Sequence, residues 1–188
     1  EARRIVDHYR RAAYPEIPAL WQRCDWLLAE IMLDPNTKRA AYWRVPGVTP
    51  GDKCIWLPNG LAIAYPNLRC EQVHRPDGQV LWQSFYDGPR KEPRSIYGGK
   101  VTENVSQALS RIVVTDVALR VHAETGRGPF LTTHDSLDYV VPESEAEWWT
   151  GYLTRQFEVR LSWAPDLPLA GEGGWGRTLA DAEKGMNT

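Results

Sequence analysis

Apolar residues recur along this chain at two spacings, one helical and one that of short strands. From Glu1 to Ala13, Ile5, Val6 and Tyr9 fall on one side among Arg3, Arg4, Arg10 and Arg11, a helical pattern that Tyr14-Pro15 interrupts. Ile17, Leu20, Trp21, Cys24, Leu27, Leu28 and Ile31 form the buried stripe of a second predicted helix. It runs from about Glu16 to Leu33 and is closed by Asp34-Pro35-Asn36. A third helix is predicted from Glu103 to about Thr125, with Thr102 as its cap and Gly126 as its stop. Its apolar positions Val105, Leu109, Ile112, Val113, Val117 and Leu119 are expected to face a core, while Glu103, Asn104, Gln107 and Arg111 define a polar side. Pro142-Glu143-Ser144 opens a fourth, from about Glu145 to Phe157, carrying Trp148, Trp149 and Leu153.

Strand signals fill the intervals. Lys53–Leu57 and Leu61–Tyr65 flank Pro58-Asn59-Gly60, and an Asn-Gly pair between two apolar runs is a strong hairpin signal. Val80 to Tyr86 reads as a strand preceded by the turn Pro76-Asp77-Gly78. Residues 41–51, rich in Pro and Gly, read as a connector. Asp87 to Arg94 reads as a polar loop that brings Arg90, Lys91 and Arg94 close together. Leu131 to Pro142 sets β-branched and aromatic residues on both sides of a polar centre. That predicts two short strands with His134, Asp135 and Ser136 at the tight turn between them. Trp163 to Leu169 is extended and proline-punctuated, Gly171 to Gly176 is glycine-rich, and the last residues are expected to fray.

Composition narrows the class. A length of 188 residues suits one well-packed domain, or one domain with an appended element. The nine tryptophans are spread along the whole chain and are expected to mark mainly a buried core, with some at a packing or binding surface. No run of about 18 apolar residues exists, so no membrane span is expected. The charged, helical start lacks the pattern of a signal peptide. Cys24, Cys54 and Cys70 have no CxxC spacing and read as reduced thiols of a cytoplasmic protein, not a disulfide frame or a zinc knot. The formal net charge is −2, but residues 1–100 carry 15 basic against 11 acidic side chains and residues 101–188 carry 7 against 13. A basic half beside an acidic half allows a phosphate-facing surface next to a metal-facing one, or two solvated surfaces. Glu1 begins the helical pattern without a capping residue, so the chain reads as the continuation of something longer.

The turn residues supply the candidate chemistry. An ionised Asp135 beside the His134 imidazole is either a place to hold a hard divalent metal or a solvated hairpin tip. Four pieces, in order, give that choice a context: Leu57-Pro58-Asn59-Gly60 with Tyr65-Pro66-Asn67 behind it; Tyr97-Gly98-Gly99-Lys100-Val101-Thr102-Glu103-Asn104-Val105-Ser106-Gln107-Ala108; Thr133-His134-Asp135; and Trp163-Ala164-Pro165-Asp166-Leu167-Pro168-Leu169. Together they resemble the C-terminal part of a family A DNA polymerase, the DNA polymerase I type, in its bacteriophage form. The opening helix, with Tyr14-Pro15 and Trp21 after it, is similar to the segment that leaves that family's fingers.

The resemblance implies an α+β fold, an antiparallel palm sheet built from hairpins and backed by the helix of Gln107 and the helix after Pro142. Residues 1–40 would be a helical segment continuing from the fingers, and residues 41–188 the C-terminal part of the palm. It implies nucleotidyl transfer with two Mg²⁺ ions, deoxynucleoside triphosphates as substrate and primer–template DNA as partner. Asp135 matches the palm aspartate of the family's third motif and would be a metal ligand, with His134 near the primer terminus. Gln107 matches a glutamine that touches DNA near the primer end. Asn104 and Glu103 would lie close by, and Lys100, Arg94 and Arg90 would meet phosphates. Localisation would be cytoplasmic, in the host if the protein is phage-encoded.

Departures shape this expectation. Ser136 stands where the third motif usually has Glu, and Ile112 where the helix after Gln107 commonly has Asp. Asp138 lies three residues beyond Asp135, which on a regular strand points it to the opposite face. The family's other metal-binding aspartate and its nucleotide-binding Lys and Tyr precede the segment that Glu1 begins. The site is therefore expected to be incomplete alone and to need the missing N-terminal part of the polymerase as partner. The alternative is a non-catalytic, duplex-binding degenerate palm. A metal hydrolase using His134 and Asp135 ranks last, since no HExxH or HxH spacing is present, and a serine hydrolase lacks its G-x-S-x-G elbow.

Overall fold

The structure, a computed structural model, describes residues 1–33 and 45–185. It is α+β, with helices and three small antiparallel sheets. Two compact units divide the chain, Glu1–Ala108 and Leu109–Thr188.

In the first unit, α1 (Ala2–His8) runs on through one wider π turn, Tyr9–Ala13. Tyr14, at φ −139°, breaks the backbone before α2 (Glu16–Leu33), which spans the predicted range. The two helices differ in what they cover. Cys24, Leu27, Leu28 and Ile31, spaced for one face, are all buried on α2. Fully burying one such Leu or Ile contributes about 1.5–3 kcal/mol. α1 buries nothing, and Ile5 is 63% exposed. The predicted stop Asp34-Pro35-Asn36 lies outside the described residues.

Two sheets follow. The first has the order β1 (Thr49–Gly51), β2 (Cys54–Trp56), β3 (Ala62–Ala64). The second has the order β4 (Arg69–His74), β5 (Val80–Asp87), β6 (Pro93–Ile96). Three expectations are corrected here. The predicted connector contains β1, whose Pro50 pairs with Ile55 from an edge position where a missing N–H is tolerated. β4 carried no strand signal because Cys70, Glu71, Gln72 and His74 are exposed and give no apolar alternation. The polar loop from Asp87 to Arg94 is a hairpin, with Arg94 already in β6.

One turn chemistry closes three of the hairpins. The loops are Leu57-Pro58-Asn59-Gly60-Leu61, Arg75-Pro76-Asp77-Gly78-Gln79 and Gly88-Pro89-Arg90-Lys91-Glu92. In each, the first residue's N–H donates to the fifth carbonyl at 2.8 Å, and the fourth N–H donates back to the first carbonyl at 3.0, 2.9 and 2.8 Å. Proline presets the second position near φ −65°, and the fourth residue is left-handed, at φ +79° for Gly60, +81° for Gly78 and +62° for Lys91. Asn59-Gly60 is thus not the two-residue turn its sequence suggests, because Pro58 takes the first turn position. The β1–β2 loop, Asp52-Lys53, is shorter. Its Lys53 is also left-handed (φ +49°), and its backbone serves the core, donating to Ile31 O at 3.2 Å and accepting from Tyr65 N at 2.8 Å.

α3 (Gly98–Thr125) begins four residues before the predicted cap. Thr102 Oγ1 bonds back to Gly98 O at 3.0 Å within the helix, and the cap comes from α2, where Asp25 Oδ1 accepts Gly98 N–H at 2.5 Å. Gly98 permits this approach, since a Cβ there would collide with the Trp21 carbonyl oxygen. The helix ends as predicted: Gly126, at φ +71°, donates its N–H to His122 O at 2.8 Å. Val101 and Val105 are buried in the first unit, and Ile112, Val114, Val117 and Val121 in the second. Leu119 is 61% exposed, against expectation, because two residues from Val117 is about 200° around the helix.

The second unit adds β7 (Leu131–Thr133), β8 (Ser136–Asp138), a 3₁₀ turn at Glu143–Glu145, α4 (Ala146–Phe157) and α5 (Leu179–Gly185). Val117, Val121 and Trp149 form its core, with Leu137, Tyr139 and Leu153 packed on it. Tyr152 Oη donates to Glu124 Oε2 at 2.5 Å, and Arg120 Nε bonds Gln156 Oε1 at 3.1 Å. Desolvation and then the Glu124 carboxylate push the Tyr152 phenol up to about 12. α5 follows the glycine-rich stretch, and residues 186–188, part of the end expected to fray, lie outside the described residues. Thr178 Oγ1 accepts Asp181 N–H at 3.3 Å and donates to Asp181 Oδ2 at 2.7 Å, a T-x-x-D capping pattern. The tryptophans are the largest correction: Trp149 is buried, while Trp26, Trp56, Trp82, Trp148 and Trp175 are about half exposed or more. Among the described residues no helix is long and apolar enough to cross a membrane.

Candidate functional site

The β7–β8 hairpin is built to present its loop. Leu131, Thr132 and Thr133 pair with Asp138, Leu137 and Ser136, so the chain reverses in two residues, His134 and Asp135. Ser136, predicted in the turn, opens β8 instead, and its Oγ donates to Thr133 O at 3.0 Å. Where a longer acidic side chain would reach outward, this hydroxyl closes the turn. His134 takes φ +51°, a conformation that side chains other than glycine adopt at a cost of about 1–2 kcal/mol. His134 and Asp135 are both exposed, and among the described residues neither side chain has a hydrogen-bond or ion-pair partner. Asp138 lies at the other end of β8, opposite Leu131 and half-buried.

A second group stands on the first turns of α3. Lys100 Nζ lies 3.5 Å from Glu103 Oε2, and Gln107 Nε2 donates to Glu103 Oε1 at 3.4 Å. The three side chains form one exposed polar stripe at i, i+3 and i+7. Asn104 is half-buried, and its Nδ2 donates to Tyr65 Oη at 3.2 Å. Burial pushes the Tyr65 phenol up, and the Asn104 bond offsets part of that. The amide is thereby committed to holding the Tyr65-Pro66-Asn67-Leu68 turn, where Asn67 is left-handed (φ +52°) and Leu68 N–H meets Tyr65 O at 3.2 Å. Arg94 is bound to Glu92, Nη2 to Oε1, at 2.5 Å, which pushes its guanidinium pKa further up. Arg90 and Lys91 have no ion-pair partner among the described residues. Lys100, Glu103, Gln107 and Arg94 thus lie in the first unit, and His134 and Asp135 in the second.

Mg²⁺ needs a near-octahedral oxygen shell, and two ions need several carboxylates. Among the described residues no three His, Cys, Asp or Glu side chains converge. Asp135 offers one ligand, and these residues by themselves do not fit a pair of Mg²⁺ ions. No protein-family model, curated protein or solved structure matches the chain.

Two features had weak sequence signals. The α3 cap, Asp25, comes from a different helix, so no local pattern announces it. A groove of about 570 Å³ lies along β8, α4 and residues 174–182, lined by Tyr139, Trp149 and Trp175. Arg177 and Glu143 pair at 3.0 Å within it, and its last wall is the T-x-x-D helix start, a short signal that the sequence reading missed.

Proposed function

We propose that this chain is the C-terminal palm part of a DNA-templated DNA polymerase of family A, in its phage form. In this reading it binds primer–template DNA and contributes Asp135 to the Mg²⁺ site of a longer or split enzyme. The observation that carries the reading is the state of Asp135. It sits at the tip of a two-residue reversal, in water, with no bond to the fold around it, while Ser136 beside it does the work of closing the turn. A carboxylate that the fold does not use is free to bind a cation. The order of the four sequence pieces supports the same reading, as does the exposed Lys100–Glu103–Gln107 stripe, whose neutral amide suits minor-groove acceptors common to every base pair. Since one carboxylate cannot complete the shell, the remaining ligands must come from another stretch of polypeptide. When bound, the metal pair would activate the primer hydroxyl and hold the nucleotide phosphates. The chain's own part is to hold Asp135 at the tip and grip the duplex.

A second reading, a non-catalytic palm that grips duplex, is favoured by the absence of converging metal ligands among the described residues. Primer extension with Mg²⁺ and all four deoxynucleotides decides between them. The polymerase reading expects no extension by the chain alone and extension once the preceding part of the polypeptide is added. Tight duplex binding with no extension in the reconstituted mixture would leave the degenerate palm.

A further inference from the structure

The β4–β5 hairpin stands out from its sheet as a two-stranded ribbon. From Cys70 to Trp82 every residue except Val73 is exposed, on both strands and around the Pro76-Asp77-Gly78 tip. Strand alternation sorts the ribbon into two faces. One carries Val73, Gln83 and Phe85, each half-buried. The other carries Trp82 directly opposite Gln72, with the His74–Val80 pair beside it. Trp82 is 69% exposed, the most exposed of the described tryptophans. A bare indole is costly to leave in water and suits a flat apolar partner.

Charge selects the partner. Three of the carboxylates around the ribbon already have a cationic partner: Glu71 and Asp87 share Arg69 at 2.6 and 2.9 Å, and Glu92 holds Arg94 at 2.5 Å. Asp77 accepts Gln79 N–H at 3.0 Å inside the tip. Without an ion pair among the described residues are three cations, Arg75 at one end of the ribbon and Arg90 and Lys91 at the other, against one carboxylate, Asp77. The eight residues of β5 separate the two ends by about 25 Å, a span of several nucleotides. An aromatic platform between two ends that each carry an unpaired cation, with an amide and an imidazole beside the ring, matches an unpaired nucleic-acid strand. Its bases stack and its phosphates are anionic.

We propose that the β4–β5 ribbon binds single-stranded DNA, with a base stacked on Trp82 and phosphates held by Arg75, Arg90 and Lys91. This goes beyond the duplex and metal roles above, which of these residues involve only Arg90, as a phosphate contact. The test is fluorescence anisotropy of the purified chain with a labelled oligothymidylate of about 20 nucleotides, beside a blunt duplex as a second probe. Trp82→Ala is expected to weaken oligothymidylate binding about tenfold and to leave the duplex unaffected, while Trp82→Phe keeps most of the affinity. Arg75→Ala with Arg90→Ala and Lys91→Ala should lower the salt slope for the single strand by about 2. Equal oligothymidylate affinity in Trp82→Ala overturns the proposal, as does an equal loss on the duplex. A dimer abolished by Trp82→Ala, with oligothymidylate binding intact, would instead make the ribbon a self-association surface. Single-strand loss with duplex binding retained supports the ribbon site whatever becomes of the polymerase reading.

Discussion

In the first unit, the β2–β3 and β4–β5 loops each place proline second, an acceptor side chain third and a left-handed glycine fourth. In the second unit, the β7–β8 loop has only His134 and Asp135. The acceptors of the longer loops are consumed by their own turns: Asn59 Oδ1 takes Leu61 N–H at 3.1 Å, and Asp77 Oδ1 takes Gln79 N–H at 3.0 Å. Asp135 takes nothing. The glycines adopt positive φ freely, whereas His134 adopts it at a cost. A loop built only for folding spends its polar groups inside and assigns glycine to the difficult backbone. The His134-Asp135 loop does neither, which is consistent with the role proposed for Asp135; Lys53 and Lys91 are also left-handed, so the unused Asp135 carboxylate, not the backbone, carries the contrast. Asp52, in the two-residue β1–β2 loop, is also exposed, so exposure alone is not the criterion. In that loop the backbone of the neighbouring Lys53 serves the core.

Substitutions break or sharpen this contrast. The largest effect is expected at the glycines, where a Cβ would meet open space, so alanine costs only backbone strain. Gly60→Ala and Gly78→Ala should each lose about 1 kcal/mol, and the pair about 2, as a drop in the urea midpoint at unchanged slope. Asp77→Ala comes next, losing about 0.5–1 kcal/mol with its turn bond. Opposite in sign and smaller, Lys91→Gly should raise stability by about 0.5 kcal/mol by relieving a left-handed lysine, and His134→Gly should act likewise. Smallest is Asp135→Ala, expected to stay within about 0.5 kcal/mol of the parent. A clear loss there would mean that the fold does use this carboxylate.

The sequence revealed what is local. Helix α2, the stop at Gly126, the fourth helix and the β7–β8 reversal follow from stripe, cap and turn residues lying within a few positions of one another. It misled where position in space decides. Thr102 looked like a cap, but Asp25 of another helix holds Gly98. Leu119 fitted the count of apolar residues, but not the angle. Trp82 and Trp148 are as hydrophobic as Trp149, and only packing tells them apart. β4 carries no alternation because neither of its faces is covered along most of its length. At the candidate site, His134 and Asp135 were legible as a turn, and Gln107 as part of a polar helix face. The commitment of Asn104 to Tyr65 was not, since the two are far apart in sequence.

The most direct test of the proposed polymerase reading pairs two readouts on two variants, Asp135→Asn and Asp52→Asn, each in the longer or split enzyme which that reading proposes. The free Asp135 carboxylate predicts that both variants melt with the parent. Extension should be retained by Asp52→Asn and fall by about a hundredfold or more in Asp135→Asn, the scale of losing a metal ligand. Undiminished extension in Asp135→Asn, or an equal fall in both variants, would contradict it.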